Sequence, residues 1–303
     1  MILPQGFHIE PTNICTLKCS ECSRTKFLNQ WPDHWKNQSL DIDDLLKFLD
    51  IDLARVPILL CGNYGDPIYH PEFIDFVAKL KEKGAVLCIV TNGSYKKDSW
   101  WKELCSLLSD QDIVQFSIDG SPENFTQYRV NGDWESIEVG IKACVESPCQ
   151  TEWKYIPFGY NVDSMEKTRL LAEQMKVDRF VVKPSNRFDQ DTLSHLKITD
   201  PQYLRNTYQP QADWKTASSK NFTVNPECYN NKSHYISAGG YYSGCCRITD
   251  YNFYYKSHFG KNRSDYNIKN TTITEVLSQQ KTIQFYDSIL TAPEHGCQFN
   301  CPG

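Results

Sequence analysis

The sequence predicts an α/β fold: six strand–helix units in parallel, followed by a small unit built from a hairpin and a helix. Three observations carry that prediction. From Gly6 to about Ser185, short β-rich apolar runs alternate with amphipathic helical stretches, as parallel strands joined by right-handed crossovers require. Beyond residue 222 the texture changes to a glycine hairpin, a long helical stretch and several cysteines. Hydrophobic residues make up 40% and aromatics 13% of the 303 residues, enough for one large core.

The elements follow in order. GFHIEPT reads as the first strand, and SLDIDDLLKFLD as a helix with Ser39 as its N-cap. VPILLCG is a second strand; HPEFIDFVAKLKEKG is a helix closed by Gly84. AVLCIVTNG and DSWWKELCSLLS form the third unit, DIVQFSIDG and WESIEVGIKACVES the fourth. TEWKYIPFGY, SMEKTRLLAEQMKV and RFVVKPS continue the alternation. Residues 186–222 are polar and break the pattern, so they read as a linker or lid with one short helix. YISAGGYYSGCC reads as a hairpin around Gly239 and Gly240. TTITEVLSQQKTIQFYDSIL reads as one helix, with a Thr cap and a Glu three residues later. The expected division is 1–185, 186–222 and 223–303.

Charge and cysteine content narrow the function. With 32 Lys and Arg against 37 Asp and Glu, the net charge is −5, and no basic field advertises a nucleic-acid or membrane partner. The first basic residue is Lys18, and runs such as VPILLC fall short of the roughly 18 apolar residues of a membrane helix. The expectation is a cytoplasmic protein. Thirteen cysteines, an odd number, cannot all pair with one another, and in a reducing compartment they point to metal or redox chemistry.

Three of them, Cys15, Cys19 and Cys22, fall within ICTLKCSEC, directly after the first strand. Three thiolates on one loop can converge on one inorganic centre. A 4Fe–4S cluster normally takes four thiolates, so three leave an iron open for chemistry. A zinc site with His8 or a distant cysteine as fourth ligand is the other reading, although zinc more often uses paired C-x2-4-C units.

EPTNICTLKCSEC resembles the signature of the radical S-adenosylmethionine (radical SAM) enzymes. The resemblance implies a partial (β/α)6 TIM-like barrel. It also implies a 4Fe–4S cluster on Cys15, Cys19 and Cys22, with SAM chelated at the open iron. Reduction then yields methionine and a 5′-deoxyadenosyl radical that abstracts a hydrogen atom from the substrate. It further implies an electron donor such as flavodoxin or ferredoxin. Tyr64-Gly65-Asp66-Pro67 resembles the family's Gly-Gly-Glu-Pro-like turn at the SAM amino group, with Tyr in place of Gly and Asp in place of Glu. Asn92 in VTNGS and Ser117 in FSIDGS resemble positions near the SAM ribose and methionine. Arg129 resembles an arginine that pairs with the SAM carboxylate, a role suited to a planar guanidinium. All of these follow predicted strands, and the C-terminal strand ends of β/α barrels form the active face. Two further residues end strands there: Cys61, a candidate hydrogen-atom donor, and Lys183, a candidate partner for an acidic substrate group or a SAM oxygen. Cys88, Cys105, Cys144 and Cys149 read as core or surface thiols.

The C-terminal cysteines form a second pattern. Cys228-x11-Gly240-x4-Cys245, closed by Cys297 and Cys301, resembles the start of the SPASM and twitch extensions of part of this family. The short, twitch-like version implies one auxiliary 4Fe–4S cluster on Cys228, Cys245, Cys297 and Cys301, with Cys246 as a possible substitute. A zinc staple on the same four is the alternative. Four thiolates leave no open iron, so such a cluster exchanges electrons only. That fits a two-electron oxidation, a dehydrogenation or a cross-link, of a small-molecule or peptide substrate. Epimerisation with Cys61 as hydrogen donor is the alternative reaction. A two-cluster electron carrier or a zinc-stapled interaction protein is the alternative without catalysis.

Overall fold

The computed structural model describes residues 4–184, 194–198, 200–203 and 224–301. The linker or lid expected over 186–222 lies largely outside them, as does any helix directly following the sixth strand.

The six predicted strands form at Gly6–Ile9 (β1), Pro57–Leu60 (β2), Val86–Thr91 (β3), Ile113–Ser117 (β4), Gln150–Tyr155 (β5) and Arg179–Val182 (β6). Each pairs in parallel with the next. The predicted helices lie between them: Ile42–Phe48 (α2), Phe73–Glu82 (α3), Asp98–Ser106 (α4), Trp134–Val145 (α5) and Met165–Gln174 (α6). Their apolar faces join the core; Phe73, Phe76, Val77 and Leu80 of α3 are all buried. That spacing of one, three and four residues is a helix's inward stripe. Within the sheet, Ile58 and Leu60 of β2 are buried in the same core, as expected of a parallel strand flanked on both sides.

Three details differ from the sequence reading. The cap of α2 is Asp41, whose carboxylate accepts from the Asp44 N–H; Ser39 instead pairs with Thr12 beside the cysteine loop. A helix not foreseen, Ser23–Gln30 (α1), starts immediately after Cys22, which is its N-cap residue. Its sequence SRTKFLNQ has little apolar periodicity and buries no residue, so pattern reading has nothing to detect. The long C-terminal helix is two helices, Ile273–Ser278 (α9) and Gln280–Ser288 (α10), because Gln279 turns to an extended ψ of 130°. The Thr272–Glu275 capping box at its start forms as expected.

The C-terminal hairpin joins the barrel sheet. Its strands are Ser233–Ile236 (β7) and Tyr242–Ser243 (β8). β7 runs parallel to β1, with Phe7 opposite His234 and Ile9 opposite Ile236, giving one sheet in the order β6-β5-β4-β3-β2-β1-β7-β8. Glu227–Asn230 (α7), His258–Lys261 (α8) and His295–Asn300 (α11) complete the C-terminal part. No helix among the described residues is long and apolar enough to cross a membrane.

Candidate active site

The C-terminal strand ends form a cavity of about 400 Å³. Cys15, Cys19 and Cys22 line it together with Cys61, Tyr64, Gly65, Asp66, Asn92, Ser117, Arg129 and Lys183. The structure thus brings every residue singled out near the first cluster to one hollow.

The cysteine loop is fastened at several points. Asn13 exchanges hydrogen bonds with the backbone of Gln38 and donates to the Lys36 carbonyl. The Lys18 N–H reaches the Val130 carbonyl at 3.0 Å, and the Asp66 N–H reaches the Ile14 carbonyl at 2.9 Å. The turn after β2 lies flat on this loop: a Cβ at Gly65 would stand 2.0 Å from the Thr12 carbonyl oxygen. Only glycine permits that approach. None of the three cysteines is in a disulfide. Burial pushes the Cys15 thiol up to about 12 and the Cys19 thiol up to about 11. Donors stand ready beside the sulfurs, with Asn92 Nδ2 at 3.8 Å from Cys15 Sγ and Arg129 Nη1 at 4.0 Å from Cys19 Sγ.

Two carboxylates organise the turn. Asp66 is fully buried, and one oxygen accepts from the Asn92 N–H (2.6 Å) and side-chain amide, the other from Thr91 Oγ1 (2.8 Å). Burial pushes its carboxyl up to about 6 against these hydrogen bonds. Its side chain therefore ties the turn to the end of β3, leaving the turn's backbone to face the cavity. The second, Glu10, was not singled out from the sequence. It accepts from the Tyr64 N–H (2.7 Å) and Gly65 N–H (3.2 Å) through one oxygen and from the Tyr235 hydroxyl (2.9 Å) through the other. Burial raises its pKa.

Arg129 makes a buried ion pair with Asp119, Nε and Nη2 reaching Oδ2 at 2.7 and 2.6 Å. Asp119 in turn accepts from the Ile156 N–H at 2.8 Å. Arg24, Lys154 and Arg247 join Arg129 and Lys183 around the cavity, with Asp66 the one acidic residue among the described residues that line it. This cationic excess suits an anionic guest, and Arg24, Lys154 and Arg247 were missed because nothing in their sequence surroundings marks them. Cys61, at the end of β2, is half-buried. The carbonyl of Cys61 meets His8 Nε2 at 2.7 Å, and burial lowers that imidazole to about 4.

The second cysteine set also converges. Cys228, Cys245, Cys297 and Cys301 are all buried and in no disulfide. The Cys228 thiol is held up by a hydrogen bond to Cys245, by burial and by the charges of Cys245, Cys297 and Cys301. Cys246 is hydrogen-bonded to Cys245 and stands within electrostatic reach of Cys61. The loop carrying Cys245 and Cys246 docks on the first cavity. Asn63 Nδ2 donates to the Cys246 carbonyl (2.8 Å) and Thr249 Oγ1 (2.9 Å), and the Tyr251 N–H donates to the Tyr64 hydroxyl (2.8 Å).

Cys105, Cys144 and Cys149 form a third cluster, with sulfurs within 4.8 Å of one another. It lies in the seam between α4 and α5. Cys105 and Cys144 share a 3.7 Å S–H···S contact, and Cys144 is raised by its sulfur neighbours and by burial. Cys149 is lowered by its hydrogen bonds with Cys105, Cys144 and Ser147, against burial and the negative Asp112. All three are buried, which puts them in the core rather than at the surface, the two places expected of such thiols.

Comparison with known proteins bears on the family and the fold. Residues 9–174, from β1 through α6, match the family model of the radical SAM superfamily. A curated protein of Pyrococcus furiosus, the tungsten-containing aldehyde ferredoxin oxidoreductase cofactor-modifying protein, is 35% identical over 120 residues. That match covers 38% of this chain and 31% of the relative's length. Among solved structures, Streptococcus suis SuiB superposes with a TM-score of 0.62 at 16% identity, covering 94% of this chain and 68% of its own. A complex of anSMEcpe with AdoMet and the Cp18Cys peptide gives a TM-score of 0.60 at 13% identity, covering 92% and 81%. BtrN with AdoMet and 2-DOIA gives 0.51 at 14%, covering 99% and 93%. These three share the fold. Because the family match spans more than half of the chain, this protein belongs to the radical SAM superfamily.

Proposed function

We propose that this radical SAM enzyme cleaves SAM reductively and abstracts a hydrogen atom from a peptide or small-molecule substrate in a two-electron oxidation. The supporting observation is the meeting of Cys15, Cys19 and Cys22 with Asn92, Ser117, Arg129 and the Tyr64–Asp66 turn in one cation-lined cavity. The residues fit a thiolate-bound cluster: three thiols without disulfide partners, N–H donors near two of the sulfurs, and positive charge around them. When bound, the 4Fe–4S cluster supplies the electron that splits SAM into methionine and a 5′-deoxyadenosyl radical.

The chain's own residues do the rest. Cys15, Cys19 and Cys22 would hold the cluster, while Asn92 and Arg129 donate towards the Cys15 and Cys19 sulfurs and steady them. The turn backbone, fixed by Glu10 and Asp66, receives the SAM amino group. Arg129 and Lys183 meet carboxylate oxygens. Cys228, Cys245, Cys297 and Cys301 hold an auxiliary 4Fe–4S cluster. The Asn63–Cys246 bond sets that cysteine loop against the substrate cavity, which favours an electron leaving the substrate by this route. A peptide substrate is favoured by the fold shared with SuiB, solved with the precursor peptide SuiA, and with anSMEcpe; BtrN keeps the small-molecule option in view. Cys61 on the cavity wall supports the second reading, epimerisation. There its S–H hydrogen passes to the substrate radical, and an external reductant must restore the thiyl with an electron and a proton.

The test is iron and sulfide content after anaerobic reconstitution, for wild type and a Cys15/Cys19/Cys22→Ala variant, each incubated with SAM and dithionite. Two four-iron clusters require about eight irons in wild type and about four in the variant, with 5′-deoxyadenosine formed by wild type alone. Zinc in place of iron, or an iron-loaded wild type that makes no 5′-deoxyadenosine, overturns the proposal.

A further inference from the structure

A second cavity, of about 470 Å³, lies beside the first, where β1 and β7 end. Tyr64 lines both, so a ligand filling the second reaches the wall of the first. Its walls are aromatic, with Phe27, Trp35 and Tyr251 packed ring against ring around α1 and the loop after Cys246. The charged and titratable side chains that line it, besides its tyrosines, are Glu10, His34, Lys36 and Arg263. Glu10 is already occupied by the Tyr64, Gly65 and Tyr235 donors. The charged groups left to meet a guest, Lys36 and Arg263, are cationic.

Two buried polar atoms of this wall have no hydrogen-bond partner among the described residues, Arg263 Nε and the Tyr254 hydroxyl. Arg263 makes no ion pair among the described residues; its guanidinium lies over the Tyr241 ring, 3.8 Å from the centroid. The charge of Arg263 also bears on Tyr254. Buried donors of this kind are normally satisfied. What satisfies donors of this kind is an acceptor carrying negative charge, presented on a stem that packs among rings.

We propose that this cavity is a substrate-recognition site for a carboxylate, with the anion on Arg263 and Tyr254 and its carbon stem against the aromatic walls. The inference rests on the enzyme reading above and names the chemistry of its substrate. An acidic peptide side chain and a small free carboxylic acid offer the same group.

Calorimetric titration of the cluster-loaded enzyme separates these sources. The probes are 3-phenylpropionate and an N-acetylated, C-amidated Gly-Glu-Gly peptide, each against its neutral amide, 3-phenylpropionamide and the Gly-Gln-Gly peptide. At least one acid binds, and its amide binds roughly tenfold or more weakly, the loss expected when a charged hydrogen bond becomes a neutral one. Arg263→Gln brings the acid down to the level of the amide, and Arg263→Lys recovers part of the difference. Whichever acid binds identifies the source. Equal binding of acid and amide, no binding of either acid at millimolar concentration, or an Arg263→Gln enzyme of unchanged melting temperature that binds the acid like wild type overturns the proposal. Wild-type 5′-deoxyadenosine formation, measured on the same preparation without any acid, tests the enzyme reading separately.

Discussion

At Asp66 a single methylene separates this chain from the family's glutamate, and the structure shows what the shorter side chain does. Both oxygens are held by Thr91 and Asn92, so the carboxylate positions the turn. Replacing it by Asn exchanges one acceptor oxygen for an N–H2 that faces the donors of Asn92. A buried mismatch of that kind costs about 1–3 kcal/mol. Asp66→Asn is expected to weaken SAM binding roughly tenfold or more; equilibrium dialysis with labelled SAM reads this, and an unchanged Kd refutes the positioning role. His234 makes a different residue-level case. It is buried on β7, with Nδ1 2.6 Å from the Tyr242 hydroxyl and Nε2 without a partner among the described residues. Burial lowers it from 6.5 to about 4. Its folded pKa lies below its unfolded one, so between these values the unfolded chain binds the extra proton. The stability it contributes is complete above about pH 6.5 and drains away as the pH falls towards 4, by about 3 kcal/mol in all. His234→Phe should flatten this acid limb in melts run at pH 7 and 5. Parallel curves for the two proteins would rule His234 out as its source.

The turn after β2 was picked out before its geometry was known. Its resemblance to the family's Gly-Gly-Glu-Pro-like turn and its place after a strand marked it as a candidate cofactor turn, but sequence could not show that it lies on the cysteine loop. That contact joins residues more than fifty positions apart, and the absence of room for a Cβ at Gly65, with the Asp66 N–H bond to the Ile14 carbonyl, reveals how close it is. Gly65→Ala should therefore separate the turn from Thr12 and Asn13. The expected result is 5′-deoxyadenosine formation down by tenfold or more, roughly the effect of a 1.4 kcal/mol displacement. The four C-terminal cysteines, remote from this turn in sequence, should keep their irons. An alanine enzyme with wild-type turnover would show that the turn has room to move. Other elements divide along the same line. Strands and amphipathic helices were legible because their period is written locally. Glu10 was not, since a carboxylate at a strand end says nothing of the Tyr64, Gly65 and Tyr235 donors it will meet. Cys105, Cys144 and Cys149 meet only because α4 and α5 pack together. The break at Gln279 was equally hidden, because no Gly or Pro beside it announces a stop.

Across the whole molecule, the consequential surprise is the seam between β1 and β7. The division at residue 222 followed a change in composition, yet the backbone ladder crosses it. Gly6 pairs with Ser233 and Ile9 with Ile236, while the Glu10 N–H reaches the Ile236 carbonyl at 2.9 Å. Glu10 also spans the seam through its side chain, joining Tyr235 to the turn after β2. Leu40 and Phe48 of the first part share a continuous core with Tyr242, Phe259 and Tyr266 of the second. A chain ending at residue 222 would expose that apolar face and leave β1 as a bare edge, an open template for aggregation. It would also strip Glu10 of one of its donors next to the turn. Two consequences follow. The full chain should unfold in one cooperative transition, with calorimetric and van't Hoff enthalpies equal once reduction and cluster loss are controlled. The 1–222 chain should be recovered mainly as aggregate, and any soluble fraction should lack SAM-cleaving activity. A soluble 1–222 protein that still makes 5′-deoxyadenosine would mean that the barrel closes its own edge and that the C-terminal part serves the auxiliary cysteines alone.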